Sequence, residues 1–165
     1  MRTPKFIEMA YIVVIMDSSN ILIAGVGGIG CSWAHQAHQK CLGSAHLALI
    51  DADDSSFKTG DDVHVLRLGH ALDGVGCAAL PPLAEQRMRG LSTITNQLLE
   101  NTELVILLAG LGGGVGTGAA HEFARQARQS GAIVLAVAGL PFESQTTRMD
   151  IALEGLERLE HTAHV

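Results

Sequence analysis

Residues 111–118 read Leu-Gly-Gly-Gly-Val-Gly-Thr-Gly, between the apolar run Leu104–Ala109 and the helix-like stretch Ala119–Ser130. This order predicts a strand, a glycine loop and the start of a helix. Five of the seven residues from Gly112 to Gly118 are glycine, so the loop can adopt positive φ or let another group approach its backbone closely. Its bare N–H groups and the positive end of the following helix dipole favour an anion. We therefore predict a site for the phosphates of a nucleotide.

This loop is not a Walker A loop, because no Gly-Lys-Ser or Gly-Lys-Thr follows it. No lysine can reach from it to a terminal phosphate, so the positive charge is expected from a metal ion and an arginine. The alternative use of such glycines is a tight turn in a sheet. A second glycine loop elsewhere in the chain makes that alternative the weaker one.

The second loop follows the apolar run Ile21–Ala24 and reads Gly-Val-Gly-Gly-Ile-Gly over residues 25–30, before a helical pattern at Ser32–Cys41. It is close to the dinucleotide-binding fingerprint, in which a glycine loop joins a strand to a helix. Asp51-Ala-Asp-Asp54 then follows the next predicted strand. A Rossmann-type sheet carries an acidic residue for a ribose hydroxyl at about this place. A solvated acidic loop is the alternative interpretation of these aspartates.

Strand-like and helix-like patterns alternate along the chain, which predicts an α/β fold: a Rossmann-like parallel sheet with helices on both faces. The length of 165 residues suits one compact domain, which we place at residues 21–165 after an N-terminal extension of residues 1–20. The predicted strands are Ile21–Ala24, Ala45–Ile50, Val63–Leu68, Leu104–Ala109 and Ile133–Ala138, and the predicted helices are Ser32–Cys41, Ala84–Leu99, Ala119–Ser130 and Thr146–Leu159.

Composition limits the classes of function. A net charge of −6 with scattered lysines and arginines argues against a nucleic-acid binder. Three cysteines without a disulfide-like spacing suit a reducing cytoplasm. The apolar run Phe6–Met16 is too short to span a bilayer, which takes about 20 residues, and we expect it to pack on the domain. No metal site is predicted, because Cys31, His35, His38 and Cys41 extend too far along one helix to converge on one ion.

Several motifs, in the right order, closely resemble those of the tubulin/FtsZ family of GTP-binding cytoskeletal proteins. The family signature in FtsZ, Gly-Gly-Gly-Thr-Gly-Thr-Gly, matches residues 112–118 except that Val115 replaces the first threonine. Residues 25–32 resemble its first phosphate loop and residues 51–53 its Asn-Thr-Asp turn. Residues 68–78 resemble its third loop, and residues 140–155 resemble its Lys-Pro-Phe…Arg-Met…Glu-Gly stretch. The resemblance runs from Ile21 to Glu160.

The resemblance implies binding of GTP or GDP with Mg²⁺ and assigns no catalytic residue within this sequence. The loop after Phe142 is one residue short, so either Glu143 or Ser144 takes the place of the family's ribose-contacting glutamate. The nucleotide-binding residues implied in this way are Gly28, Ile29, Gly30, Cys31, Ser32, Asp53, Gly113, Gly114, Val115, Gly116, Thr117, Glu143 and Arg148.

The sequence also departs from the family pattern. Ser32 replaces an asparagine, Asp73 lies near a usual arginine and Leu80 replaces the asparagine of an Asn-Pro pair. The sequence ends at Val165, before the family's guanine-reading asparagine, central helix and second domain, whose acidic residues activate water on a neighbouring subunit's GTP. We therefore expect nucleotide binding, with hydrolysis only where a partner supplies that loop. The expected partners are a second copy of the chain or a full-length FtsZ-like protein.

Two further interpretations stay open at this point. One is a non-catalytic, truncated relative that regulates a full-length filament protein. The other is an ATP-dependent adenylating enzyme of the ThiF/MoeB type, which Gly25–Gly30 followed by Asp51-Ala-Asp53 would suit. That enzyme type is expected to carry Asn-x-x-Arg after the acidic turn, which is absent here, and it leaves Gly112–Gly118 without a role.

Overall fold

The computed structural model describes residues 20–41, 43–57, 60, 63–69, 77 and 80–165. The expected packing of Phe6–Met16 and most of the loop at residues 68–78, including Asp73, lie outside the described residues. Among the residues described, no helix is both long enough and apolar enough to cross a membrane.

One parallel sheet forms the centre of the described chain, with the strand order β3-β2-β1-β4-β5. Each predicted strand is present, and the bounds differ by one or two residues. From β1, the chain builds the sheet toward one edge through β2 and β3 and then toward the other edge through β4 and β5. Open α/β sheets leave a crevice for ligands at such a switch in direction, which here lies between β1 and β4. The strands are β1 Ile21–Val26, β2 His46–Asp51, β3 Val63–Arg67, β4 Leu104–Gly110 and β5 Ile133–Gly139.

Helices cover the sheet on both faces, as the alternating pattern predicts. They are α1 Gly27–Lys40, α2 Pro81–Gly90, α3 Ser92–Leu98, α4 Gly114–Gln129 and α5 Thr146–Thr162, with a 3-10 turn at Asp54–Ser56. Helix α1 packs on one face with Ile21 and Ile23, and the other face packs Leu22 and Ala24 into a larger core with the fully buried Phe123. The central strands β1, β2 and β4 are buried on both faces, which explains their continuous apolar runs.

The helix bounds differ most from the prediction at three places. Helices α1 and α4 begin inside the glycine loops, at Gly27 and Gly114, rather than at Ser32 and Ala119. The predicted helix Ala84–Leu99 is two helices, α2 and α3, which meet at Leu91 with ψ of 9°. Gly90 precedes this break, and glycine is a poor helix former. Helix α2 begins at Pro81, where a missing N–H breaks no helical hydrogen bond.

A group of charged side chains, which we call the interhelical charge cluster, joins α2, α4 and α5. Glu122 is fully buried and accepts hydrogen bonds from Arg125 Nε at 2.9 Å and from Gln126 Nε2 at 2.9 Å. Burial alone would raise the pKa of Glu122, but the bonds from Arg125 and Gln126 outweigh it, so the pKa is lowered. The cluster consists of Glu85, Arg89, His121, Glu122, Arg125 and Arg158.

His121 is the cluster member whose protonation should respond to mild acid. It is buried, its Nδ1–H donates to the carbonyl of Thr117 at 3.3 Å, and its Nε2 lies 3.5 Å from Glu85 Oε2. Burial is the largest influence on the pKa of His121, and the charge of Arg158 adds to it. Together they outweigh Thr117 and Glu85 and lower this pKa below its usual value of 6.5.

We expect the stability of the protein to fall as pH drops below about 6.5, because unfolded His121 binds a proton there and folded His121 does not. His121→Gln cannot titrate, so it should lose less stability than the wild type between pH 7.5 and 5.5. Urea unfolding at both pH values measures this difference. Equal losses in the two proteins would show that His121 is not responsible.

Candidate functional site

A cleft of about 650 Å³ lies at the carboxyl ends of the strands, where β1 and β4 adjoin. β1 leads directly into α1 at Gly27, and β4 leads through a short loop into α4 at Gly114. Both glycine loops predicted from the sequence therefore line one cleft. A groove of about 820 Å³ lies at the opposite edge, beside Asn20 and Ile133. We assign the ligand site to the smaller cleft, because parallel sheets bind ligands at their carboxyl ends.

The backbones of the two glycine loops lie close together. Gly27 has φ of +73°, and a Cβ on it would lie 3.0 Å from the nitrogen of Gly116. A Cβ on Gly116 would lie 2.0 Å from the carbonyl oxygen of Gly110, at the end of β4. No side chain fits at Gly116, and one at Gly27 would be strained by the positive φ, so glycine at these positions lets α1, α4 and β4 converge.

The helix starts at this cleft lack side-chain caps. The residues that precede α1 and α4 are Val26 and Gly113, neither of which makes a side-chain capping bond, and neither helix has an acidic residue in its first turn. The first N–H groups of a helix have no partner within the helix. Two such sets of N–H groups, each at the positive end of a helix dipole, thus meet at one cleft, which suits an anion.

Eight of the residues predicted to bind nucleotide line this cleft together. A Cβ on Gly113 would meet nothing within 4 Å, so the main chain there borders open space. Arg148 is exposed and is the cation among the described lining residues. The eight are Gly28, Ile29, Asp53, Gly113, Gly114, Val115, Gly116 and Arg148.

Gly30 and Cys31 lie behind the cleft rather than in its lining. A Cβ on Gly30 would lie 2.3 Å from the carbonyl oxygen of Leu108, so this glycine lets α1 pack on β4. The buried Cys31 thiol donates to the carbonyl of Gly25 at 3.4 Å. Burial, with a smaller contribution from Asp51, raises the pKa of Cys31 to about 12, so its thiol is protonated at neutral pH.

Thr117, Ser32 and Glu143 are also outside the described lining of the cleft. The buried Thr117 hydroxyl accepts the N–H of Gly112 at 2.9 Å and so connects the signature loop to the first turn of α4. Ser32 and Glu143 are exposed. A direct nucleotide contact by these three side chains stays a prediction.

The cleft also includes residues that the sequence analysis did not assign as ligands. Asp51 is buried at the end of β2 and accepts the N–H of Ala52 at 2.7 Å, and a Cβ on Gly28 would lie 3.5 Å from Ser56 Oγ. Helical spacing could have identified Trp33, since it lies four residues after Ile29 and so on the same helix face. The remaining lining residues are Gly27, Cys77, Gly110, Leu111, Gly139, Leu140, Pro141, Phe142 and Gln145.

The acidic side of the cleft has a defined turn. Asp53 Oδ1 accepts the backbone N–H of Ser55 at 2.9 Å, and hydrogen bonding to Ser55 lowers the pKa of Asp53. Asp53 is therefore ionised at neutral pH. Among the described residues, no group of three or more histidine, cysteine or acidic side chains could hold a metal ion. A cation in this cleft would need oxygen ligands from a bound molecule as well.

Comparison with known proteins gives a consistent result. The sequence model of a family described as the Tubulin/FtsZ family, GTPase domain, matches residues 20–165. Cell division protein FtsZ of Aquifex aeolicus is 32% identical over 150 residues, which are 90% of this chain and 41% of that protein. Cell division protein FtsZ 1 of Archaeoglobus fulgidus is 32% identical over 145 residues, 87% of this chain and 39% of that protein.

Solved structures agree with the sequence matches. An FtsZ dimer of M. jannaschii superposes with a TM-score of 0.80 at 27% identity, covering 98% of this chain and 48% of that one. CetZ of Methanosaeta thermophila, at 17% identity and a TM-score of 0.73, covers 87% of this chain and 43% of that one and shares the fold. The chain thus spans about two fifths of the length of the sequence relatives it matches. These similarities do not support the adenylating-enzyme interpretation.

Proposed function

The chain belongs to the tubulin/FtsZ family, and on this premise we propose that its cleft binds GTP and GDP. Main-chain N–H groups of residues 27–29 and 113–116 hold the phosphates. The observation that carries this proposal is the meeting of two helix N-termini without side-chain caps at the topological switch point of the sheet. Because the loops carry few side chains, the backbone can approach phosphate oxygens closely.

Charged residues of the cleft complete the proposed site. Arg148 pairs with the phosphates, and the ionised Asp53, on the acidic side of the cleft, pairs with the Mg²⁺ that the phosphates carry. Mg²⁺ bound to the phosphates neutralises their charge. Among the described residues, the cleft lining offers two carboxylates, Asp51 and Asp53. Two carboxylates fit Mg²⁺ when phosphate oxygens of the nucleotide supply further ligands.

Hydrolysis and assembly are further parts of the proposal. Phosphoryl transfer depends on positioning of the attacking water and on stabilisation of charge. We propose that a full-length FtsZ-like protein supplies the residues that orient this water, and that the chain also self-associates. The cytoplasm is the proposed compartment, since the cysteines described are free thiols.

Calorimetric titration of the purified protein with GTP, GDP and ATP in Mg²⁺ tests the proposal. We expect saturable binding of GTP and GDP and weaker or no binding of ATP. Binding of none of the three would contradict the proposed function. Preference for ATP would contradict the assignment of the nucleotide.

Arg148→Ala should weaken GTP binding about tenfold, because one charged hydrogen-bonding partner of the phosphates is worth about 1.5 kcal/mol. Arg128→Ala is the matched control, since Arg128 is exposed on α4 and bonds the carbonyl of His161 away from the cleft. The same titration measures both. If Arg148→Ala and Arg128→Ala bound GTP with equal affinity, Arg148 would not contact the nucleotide.

A further inference from the structure

The two ends of the cleft differ in chemistry. Asp51 ends β2, and the ring of Trp33 lies against Gly139, which ends β5. The strand order is β2-β1-β4-β5, so three strand spacings, about 14 Å, separate these ends, and the phosphate loops lie between them. We call the lining residues Trp33, Gly139, Leu140 and Phe142 the apolar end, and Asp51, Asp53 and Ser56 the acidic end.

The Trp33 ring is fixed on one side and open on the other. A Cβ on Gly139 would lie 2.5 Å from Trp33 Cη2 and 3.1 Å from Cζ3, so the indole occupies the space that a side chain at position 139 would take. Trp33 is nevertheless 39% exposed, and it lines the cleft. Phe142, also at the apolar end, is 81% exposed. An aromatic surface held in place and open to the cleft is a platform for a flat ligand.

Two parts of a bound nucleotide match regions of this cleft. Its phosphates match the glycine loops in the middle, and its base is a flat aromatic ring that matches the apolar end. The ribose joins the base to the phosphates, so it lies between these two regions and away from Asp53. An indole surface stacks with a base of any identity, because each base has a π-face. The acidic end lacks such a surface among its lining residues.

We propose that the nucleobase stacks on Trp33, so that the nucleotide extends from the glycine loops toward β5. This inference rests on the proposed nucleotide binding and adds the subsite for the base. Trp33 contributes affinity without selecting guanine, since stacking tolerates any base. The choice of guanine over adenine then depends on other groups.

Trp33 is the single tryptophan of the sequence, so its fluorescence reports on the subsite without any substitution. Titration with GTP or GDP should change the emission saturably, whereas tripolyphosphate, which has no base, should leave it unchanged. Trp33→Ala should weaken GTP binding in calorimetry about tenfold, within the range for a base–aromatic stack. Its affinity for tripolyphosphate should equal that of the wild type.

Trp33→Phe is the conservative variant, and it should keep most of the GTP affinity because the ring remains. Saturable binding of GTP without a change in emission, and with unchanged affinity in Trp33→Ala, would overturn the base subsite and leave the proposed function intact. Failure of the wild type to bind GTP would overturn both. Far-UV circular dichroism establishes that each variant is folded.

Discussion

Gly116→Ala should both destabilise the fold and abolish most nucleotide binding. The new Cβ would lie 2.0 Å from the carbonyl oxygen of Gly110 and 3.0 Å from its carbon, so backbone rather than a flexible side chain must move. Overpacking of this kind costs about 3 kcal/mol. The shift also displaces the N–H groups at the start of α4. Loss of two charged hydrogen bonds, at about 1.5 kcal/mol each, lowers GTP affinity on the order of 100-fold.

Urea unfolding and GTP titration measure the two effects separately. Gly90→Ala is the matched control, because a Cβ there meets nothing within 4 Å and Gly90 ends a helix outside the cleft lining. That variant should keep wild-type affinity and change stability by less than about 1 kcal/mol. If Gly116→Ala were as stable as Gly90→Ala and bound GTP equally well, the packing of α4 on β4 described here would be wrong.

The second large effect is expected from Arg125→Ala in the interhelical charge cluster. Glu122 is fully buried, and Arg125 provides two of its hydrogen bonds, from Nε at 2.9 Å and from Nη2 at 2.5 Å. Removing one partner of a buried pair leaves a charge without compensation. Arg89 Nε at 3.4 Å and Gln126 remain as weaker partners. We therefore expect a loss of about 3 kcal/mol at pH 7.

The pH dependence of this loss identifies its cause. The lowered pKa of Glu122 gives stability above the unfolded pKa of about 4.5, and that stability is lost as pH falls further. The difference between Arg125→Ala and the wild type should accordingly shrink toward pH 4, because the buried Glu122 of the variant, without its arginine, binds a proton there. Adding Glu122→Gln to Arg125→Ala should recover part of the loss at pH 7. A loss that is the same at both pH values, and in the double variant, would point to packing instead of charge.

Much of the fold is predictable from the sequence because its central strands, β1, β2 and β4, are buried on both faces. Ile21–Val26 is buried at every position, so a continuous apolar run identifies the strand without help from its neighbours. The glycine loops are equally visible, since only close backbone approach requires so many glycines together. Their meeting at one cleft follows from the parallel arrangement, which brings the carboxyl ends of β1 and β4 to one edge.

The sequence predicts later starts for α1 and α4 than the structure has, for a physical reason. Glycine is unfavourable in helices, so propensity places the helix start after the glycines. In the fold, packing of Gly30 on Leu108 and of Gly116 on Gly110 outweighs that preference. The break at Leu91 follows Gly90, but an isolated glycine is tolerated within a helix, so propensity alone does not require a break there.

Contacts between residues far apart in sequence were not predictable. Arg158 Nη2 donates to Glu85 Oε2 at 2.8 Å across 73 positions of sequence, and no local pattern pairs these residues. Trp33 likewise has a place in the cleft because α1 lies against the end of β5 at Gly139. A sequence shows which side chains share a helix face, but the cleft they line depends on the packed sheet.

Nuclear magnetic resonance of the ¹⁵N-labelled protein can detect phosphate binding by the two loops, since the proposed contacts are backbone N–H groups. At 17.3 kDa the chain suits amide chemical-shift mapping. Saturation with GTP in Mg²⁺ should shift the amides of Gly28, Gly113 and Gly114 most, and should leave the amides of Gly90 and Gly131, outside the cleft lining, unchanged. If bound GTP left the amides of the loop glycines unshifted, or instead shifted amides in the groove beside Asn20 and Ile133, the two loops would not be the phosphate site.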